Sequence, residues 1–387
     1  FSFSFDTSFQ TTWNFIPSAE EKGLKMRVIF KKSYEADIRL FKDGVQAFWY
    51  LLLLVIAVIL PFLINEYWVG EFSLMLIWAI AGMGLMLLVG HTGQASLGHA
   101  AFMAVGAYSN VIMQNNFNIP FILSLPLSGI LAGLVGACIA LPTRKLHGIY
   151  MAIATIAIGV LAEDLIVILE PWTGGVGGIF APSIKLFGLD FDRYNNVSGL
   201  YWLILAITVL IVLGYKNILR SPLGRSFAAV RDSEISAQAM GVNIGKTRTL
   251  SFAISCAITG ISGALMGHFS YVFTNETFNI VISINLLLMI VVGGVGFIHG
   301  AFLGAMVVTF LPSGISFTRD AFFSDFHIIP GIESGIFGLI LIVVILFEPM
   351  GLYGRWLKFK TYFDLFPFYR KDMFRRQKTY LKTERTR

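Results

Sequence analysis

Continuously apolar runs recur along almost the whole chain. They fall at about 47–65, 72–90, 96–114, 121–141, 148–169, 199–218, 250–271, 278–293, 298–312 and 334–348. A helix needs about 20 such residues to cross a bilayer. The first seven runs have that length, two of the last three are short, and glycine divides the eighth from the ninth. The pattern predicts ten crossing helices, with nine or eleven as the alternatives. A barrel is excluded, because its strands alternate in polarity and these runs do not.

Composition points the same way. Hydrophobic residues make up 56% of the chain and charged residues 13%, against about 25% charged in an ordinary soluble domain. A soluble enzyme, a disordered protein and a nucleic-acid reader are thereby excluded. Cys138 and Cys256 both lie in apolar runs without a Cys or His at ligand spacing. They read as buried small hydrophobes, so neither a metal site nor a disulfide is expected.

Lysine and arginine give orientation. Seven lie in 1–46, two at Arg144 and Lys145, six in 215–249 and eleven after Glu348, which together are 26 of 29. The other three are Lys185, Arg193 and Arg319. Ten crossings with both termini inside put all 26 in the cytoplasm and these three outside. The +6 net charge is thus topology. The fold expected is an all-α polytopic membrane protein of about ten transmembrane helices with both termini cytoplasmic. It divides into a tail 1–46 with an interfacial helix at 24–42, a membrane domain 47–348, and a basic tail 349–387 facing solvent or lipid headgroups.

Several motifs fail on inspection. Gly241–Thr247 is one residue short of a phosphate loop and follows helix, not strand. Gln94-Ala95-Ser96-Leu97-Gly98 lacks the first glycine of a nucleophile elbow, and no oxyanion donor accompanies Ser96 or the distant His268. Glu163 and Asp164 lie near the outer end of the fifth run, where snorkelling and a wet vestibule compete with substrate contact. An ion-coupled carrier would need paired acids or bases at midplane, and only these two come near.

Glycine carries more. Gly260, Gly263 and Gly267 share one helix face, as do Gly129, Gly133 and Gly136, and such faces let backbones pack closely. A weak repeat also appears. Gly93, His99, Ala101 and Phe102 recur 200 residues later as Gly293, His299, Ala301 and Phe302. Both copies sit where one run gives way to the next, predicting glycine-broken helices near 93–99 and 293–299 in a parallel relation. Between the sixth and seventh runs, 220–248 reads as two short helices broken near Asp232 and Gly241. It is rich in small residues and suits docking in a groove of a soluble partner.

Four stretches then carry a resemblance. They are Gly93-Gln94-Ala95-Ser96-Leu97-Gly98-His99-Ala100-Ala101-Phe102 with Gly106-Ala107-Tyr108; Thr173-Gly174-Gly175 with Gly178; Ser221-Pro222-Leu223-Gly224-Arg225 through Gly241-Val242-Asn243; and Gly293-Gly294-Val295-Gly296 through Gly304. In this order they resemble the permease subunits of branched-chain amino-acid ABC transporters, of the LivM type, over roughly 50–355. Two positions depart from that family: Val160 stands where an acid is frequent, and Ile235-Ser236-Ala237 replaces the E-A-A form of the coupling motif. The resemblance implies an importer in a bacterial inner membrane. A periplasmic binding protein would deliver the amino acid, a second homologous permease would complete the pathway, and two cytoplasmic ATPase subunits would hold ATP-Mg. The chain itself would bear no catalytic residue, cofactor or metal and bind no nucleic acid. Arg225, Ala237, Gly241 and Asn243 would meet the ATPase, with Ala237 and Gly241 at the close contact. The substrate pathway is expected where the two breaks converge, at Gly93, Gln94, Ser96 and His99 and at Gly293, Gly294, Gly296 and His299. Helix N-termini there favour a carboxylate, while the two histidines are expected mainly to brace helices.

Overall fold

The computed structural model describes residues 44–144, 146, 148–186, 189–194, 196–322, 332–348 and 350–364. The expected interfacial helix at 24–42 and the basic tail beyond Asp364 lie outside these. Asp43–Phe359 forms one compact unit; of a second, Phe1–Lys42 with Lys360–Arg387, only 360–364 are described.

Ten helices fall on the ten apolar runs. They are α1 (Gly44–Leu63), α2 (Glu66–Met86), α3 (His99–Phe117), α4 (Phe121–Thr143), α5 (Ile149–Ile168) and α6 (Val197–Arg220), then α9 (Ile244–Ser270), α10 (Ile280–Gly293), α11 (Ile298–Phe322) and α12 (Ile332–Phe347). Between α6 and α9 lie the short helices α7 (Pro222–Asp232) and α8 (Glu234–Ala239), and α13 (Gly351–Asp364) closes the described chain. Among the described residues eight helices are long and apolar enough to cross a membrane. Two are not, and one of them differs from expectation. The third run was long enough by sequence, but α3 carries Ser109, Asn110, Gln114, Asn115 and Asn116 in its last turns, which lowers its hydropathy. α12 is 16 residues long, about 24 Å at 1.5 Å per residue.

Burial follows apolar pattern. α2 is apolar all round and sits centrally, with Ile77, Ala79, Ile80, Met83, Leu85 and Met86 fully buried. α9 packs against α2, α3 and α4. Its glycine face is used as the sequence implied. A Cβ on Gly263 would lie 2.0 Å from the Met103 carbonyl, and one on Gly106 would lie 2.0 Å from the Gly260 carbonyl. The Gly129 and Gly133 face of α4 meets Ile261 and Ala257 on another side of α9. By contrast α1 turns large apolar side chains outward, Leu53 being 65% and Phe62 73% exposed, as lipid contact requires. Pro61 has no N–H to give the Ala57 carbonyl; the Tyr201 hydroxyl of α6 donates to it instead at 2.9 Å.

The Thr173–Gly178 stretch is a tight turn. Gly174, Gly175 and Gly178 all have positive φ, a conformation that favours glycine. The turn feeds β1 (Ile179–Phe180). A hairpin of β2 (Ile184–Leu186) and β3 (Leu189–Phe191) follows. β1 pairs antiparallel with β4 (Val272–Phe273), fastening the 170–198 loop to the end of α9.

Candidate functional site

The end of α2 is where the backbone leaves regular geometry. Leu87–His91 widens into a π-turn, a distortion frequent at functional sites. The chain then runs without regular structure to α3. Gly93 has φ +70° and is exposed. The Gln94 N–H closes back onto the Leu88 carbonyl at 3.1 Å.

Neutral hydrogen bonds hold this first break. The half-buried Gln94 donates through Nε2 to Ser251 Oγ at 2.9 Å and to Thr92 Oγ1 at 3.2 Å. The Leu97 N–H donates to Thr155 Oγ1 at 2.9 Å. Gly98 lies so close to α5 that a Cβ would fall 1.9 Å from the Thr155 carbonyl. Ser96 and His99 are sealed, at 1% and 0% exposed. His99 Nδ1 pairs with Ser96 Oγ and Nε2 with Ser255 Oγ, both at 2.8 Å, and Ser255 in turn donates to the Gly84 carbonyl. His99 therefore ties α3 to α9 and α2. The start of α3 is partly satisfied within the chain, because the Ala100 N–H donates to Ser283 Oγ at 2.9 Å.

The second break is built of backbone. A Cβ on Gly293 would lie 1.8 Å from the Gly300 carbonyl. Gly351, at the start of α13, approaches Gly294 so closely that a Cβ would sit 2.5 Å from its Cα. Gly293 and Gly294 are buried. His299 Nε2 pairs with the Tyr50 hydroxyl of α1 at 2.7 Å and stacks on Tyr353 of α13, centroids 5.0 Å apart. Burial, with Tyr50 adding to it, pushes the Tyr353 hydroxyl up from its ordinary pKa.

The breaks meet through Gly296. Its N–H points at Met86 Sδ, 3.0 Å away, and a Cβ on Gly90 would lie 2.7 Å from its nitrogen. Glycine on both sides permits this crossing. His99 and His299 themselves lie in separate neighbourhoods, each with its own partners.

The segment 222–243 has the expected breaks, after Asp232 and at Gly241, whose φ is +83°. Ser221, Ser233 and Asn243 cap α7, α8 and α9 through their side chains. Arg225, Gly241 and Asn243 are exposed. Ala237 is not. It is 3% exposed and faces its own chain, while Ile235 and Met240 point out at 84% and 86%. The turn of α8 buries Ala237 against its own chain and leaves Ile235, with Met240 just after the helix, facing outward. Glu163 is half exposed and Asp164 exposed on α5. Among the described residues no cluster of His, Cys, Asp or Glu is placed to hold a metal.

Sequence reading missed the π-turn, Gly90, Arg231 and the partners Thr155, Ser251, Ser255 and Ser283. Ser251 and Ser255 stand four apart in an apolar run, a spacing that puts both hydroxyls on one helix face.

A family model described as "Branched-chain amino acid transport system / permease component" matches residues 69–345. The chain belongs to this permease family. It is 29% identical over 328 residues to the high-affinity branched-chain amino acid transport system permease protein LivM of Escherichia coli K12, covering 79% of this chain and 75% of that one. Similarity extends to a probable LivM of Methanocaldococcus jannaschii, 28% identical over 73% of this chain and 84% of the relative. A probable LivH of the same organism is 24% identical, over 73% of this chain and 90% of the relative. No solved structure gives a significant match. The first break of this permease thus lies inside the matched region, as do the second break and the whole of 222–243.

Proposed function

We propose that the permease is one of two homologous membrane subunits of an ATP-driven importer of branched-chain or other hydrophobic amino acids. The observation that carries this reading is the first break. It is an opened backbone beside the central helices, with Gly93 exposed and Gln94 half buried; Gln94 is held by neutral partners, and the neighbouring Arg231 guanidinium is engaged by the Gly90 carbonyl and Asp232. Neutral groups with the one cation already paired give an amino-acid zwitterion orientation without an unpaired charge that would retain it, which suits a site that must release its cargo. Gly93, Gln94 and Gly296 line the pathway in this reading. Ser96, His99, Gly293, Gly294 and His299 shape it from behind.

The ten helices cross a bacterial cytoplasmic membrane, with both termini and 220–248 on the cytoplasmic side and 170–198 in the periplasm. The 26-to-3 distribution of basic residues supports this orientation. A periplasmic binding protein delivers the solute. Two cytoplasmic ATPase subunits bind and hydrolyse ATP-Mg, and dock on Arg225, Gly241 and Asn243 together with the exposed Ile235 and Met240.

The test is uptake of labelled leucine into proteoliposomes holding this chain, its companion permease, the ATPases and the binding protein. ATP inside should drive accumulation; uptake indifferent to ATP refutes the proposal. Orientation is read separately. A cysteine at Ser183 should react with an impermeant reagent from outside, and one at Ser233 should not. Equal labelling from outside refutes the orientation.

A further inference from the structure

We propose that Arg231 is the positioning residue that bolts α7 to the first break, so that movement of the docking segment reaches the pathway through one side chain. The inference rests on the reading of 222–243 as an ATPase-docking surface.

The π-turn sets up the need for such a bolt. Widening a helix end leaves carbonyls without their regular donors. The Leu88 carbonyl is supplied locally, by the Gln94 N–H and by Thr92 Oγ1 at 2.7 Å. The carbonyl of the buried Gly90 is supplied from 141 residues away, by Arg231 Nη1 at 3.0 Å. The guanidinium thus sits at the C-terminal end of α2, where the helix dipole favours a cation. The stem of the same side chain lies beside the glycine of the break. A Cβ on Gly93 would lie 3.4 Å from Arg231 Cγ and 3.8 Å from its Cα. One residue therefore holds the π-turn with its head and flanks Gly93 with its stem.

The surroundings make this a lever and not a loose contact. Phe227 and Val230 of α7 are buried, so α7 is packed along its length. Asp232 orients the guanidinium from the solvent side, accepting from Nε at 3.0 Å. α8 is tied elsewhere: Glu234 pairs with Arg248, whose guanidinium also donates to the Arg144 carbonyl at 3.0 Å. Through Glu234, α8 bears on Arg248 of α9 and so on the Arg144 carbonyl; through Arg231, α7 bears on Gly90 and Gly93.

The test compares the assembled transporter with its Arg231→Met variant, which keeps the stem beside Gly93 and removes the donors. Two quantities are read: hydrogen exchange at the amides of 91–98, and leucine taken up per ATP hydrolysed. A merely misfolded fraction lowers uptake and hydrolysis together and leaves their ratio unmoved. Exchange at Gln94 should quicken by about tenfold, as local opening becomes easier. Uptake per ATP should fall by about fivefold, as the two movements lose their link. Unchanged exchange overturns the bolt; faster exchange with normal uptake per ATP overturns its part in coupling. Should the Met variant not assemble, Arg231→Gln, too short to reach the Gly90 carbonyl, decides. Wild-type exchange and wild-type uptake per ATP in that variant overturn the proposal. Absence of ATP-driven uptake in the unaltered complex refutes the docking reading instead, and the exchange measurement still judges the bolt.

Discussion

The ten residues from Gly93 and the ten from Gly293 share glycine, histidine, alanine and phenylalanine at matching places, yet different forces hold the two breaks. Around the first, hydroxyls and an amide supply most of the contacts, Ser251 to Gln94, Thr155 to Leu97 and Ser255 to His99, with one close backbone approach, Gly98 to the Thr155 carbonyl. Around the second, backbone lies on backbone, Gly293 under the Gly300 carbonyl and Gly351 over Gly294. Rotatable hydroxyls can exchange partners at small net cost. Interlocked backbones separate only if whole helices move. The difference assigns the yielding role to the first break and the fixed role to the second, where α10, α11 and the start of α13 are knotted together.

The largest effect should come from tampering with the knot. Gly293→Ala pushes a methyl group onto a carbonyl that no side-chain rotation can move aside. Overpacking costs about 1–3 kcal/mol and occasionally more, and this contact belongs at or above the top of that range. Monodisperse protein after detergent extraction should be nearly lost. Normal yield would mean that the second break gives way, and the contrast would fail.

Next come the two histidines. His99→Leu leaves buried Ser96 with a lost partner and strips Ser255 of one contact, at a cost of about 2–3 kcal/mol. His299 is half buried and keeps stacking area when replaced by Phe, so His299→Phe should cost about 1 kcal/mol. Thermal unfolding in lipid measures both. Equal shifts would show that the two histidines brace equally, against the environments described.

A smaller change in stability, with a selective change in function, is expected of Gln94→Leu. It is similar in size and loses the bond to Ser251, worth about 1 kcal/mol. Leucine uptake should drop severalfold while the variant still copurifies with its companion subunits. Unaltered uptake removes Gln94 from the pathway, and loss of copurification makes it a packing residue.

Much of this arrangement is legible in the chain. Continuous apolar runs locate every long helix, because lipid demands helices of that length and polarity. Glycine spacing marks the face of α9 that α3 meets and the face of α4 that meets α9. Positive φ at Gly93 and Gly241 is implied by the residue type at each break. What sequence leaves hidden depends on contacts far apart in the chain. The π-turn at Leu87–His91 has no local signature, since its sequence, LLVGH, would serve an ordinary helix. Arg231 reads as one more basic residue of a cytoplasmic loop until the Gly90 carbonyl is seen beside it. The burial of Ala237 is hidden too, because small residues fit both a docking contact and a buried helix face.

The unlike roles of the two breaks are tested most directly by thiol accessibility during transport. Gln94→Cys and Val295→Cys are made separately with Cys138→Ala, leaving the buried Cys256 in place. Each is assembled with its partners and treated with a small thiol reagent, idle and during ATP-driven uptake. If the first break yields and the second stays fixed, the labelling rate at position 94 changes by about threefold or more during turnover. The rate at position 295 then stays as it was. A rate at 94 that ignores turnover, or an equal change at both positions, contradicts the account.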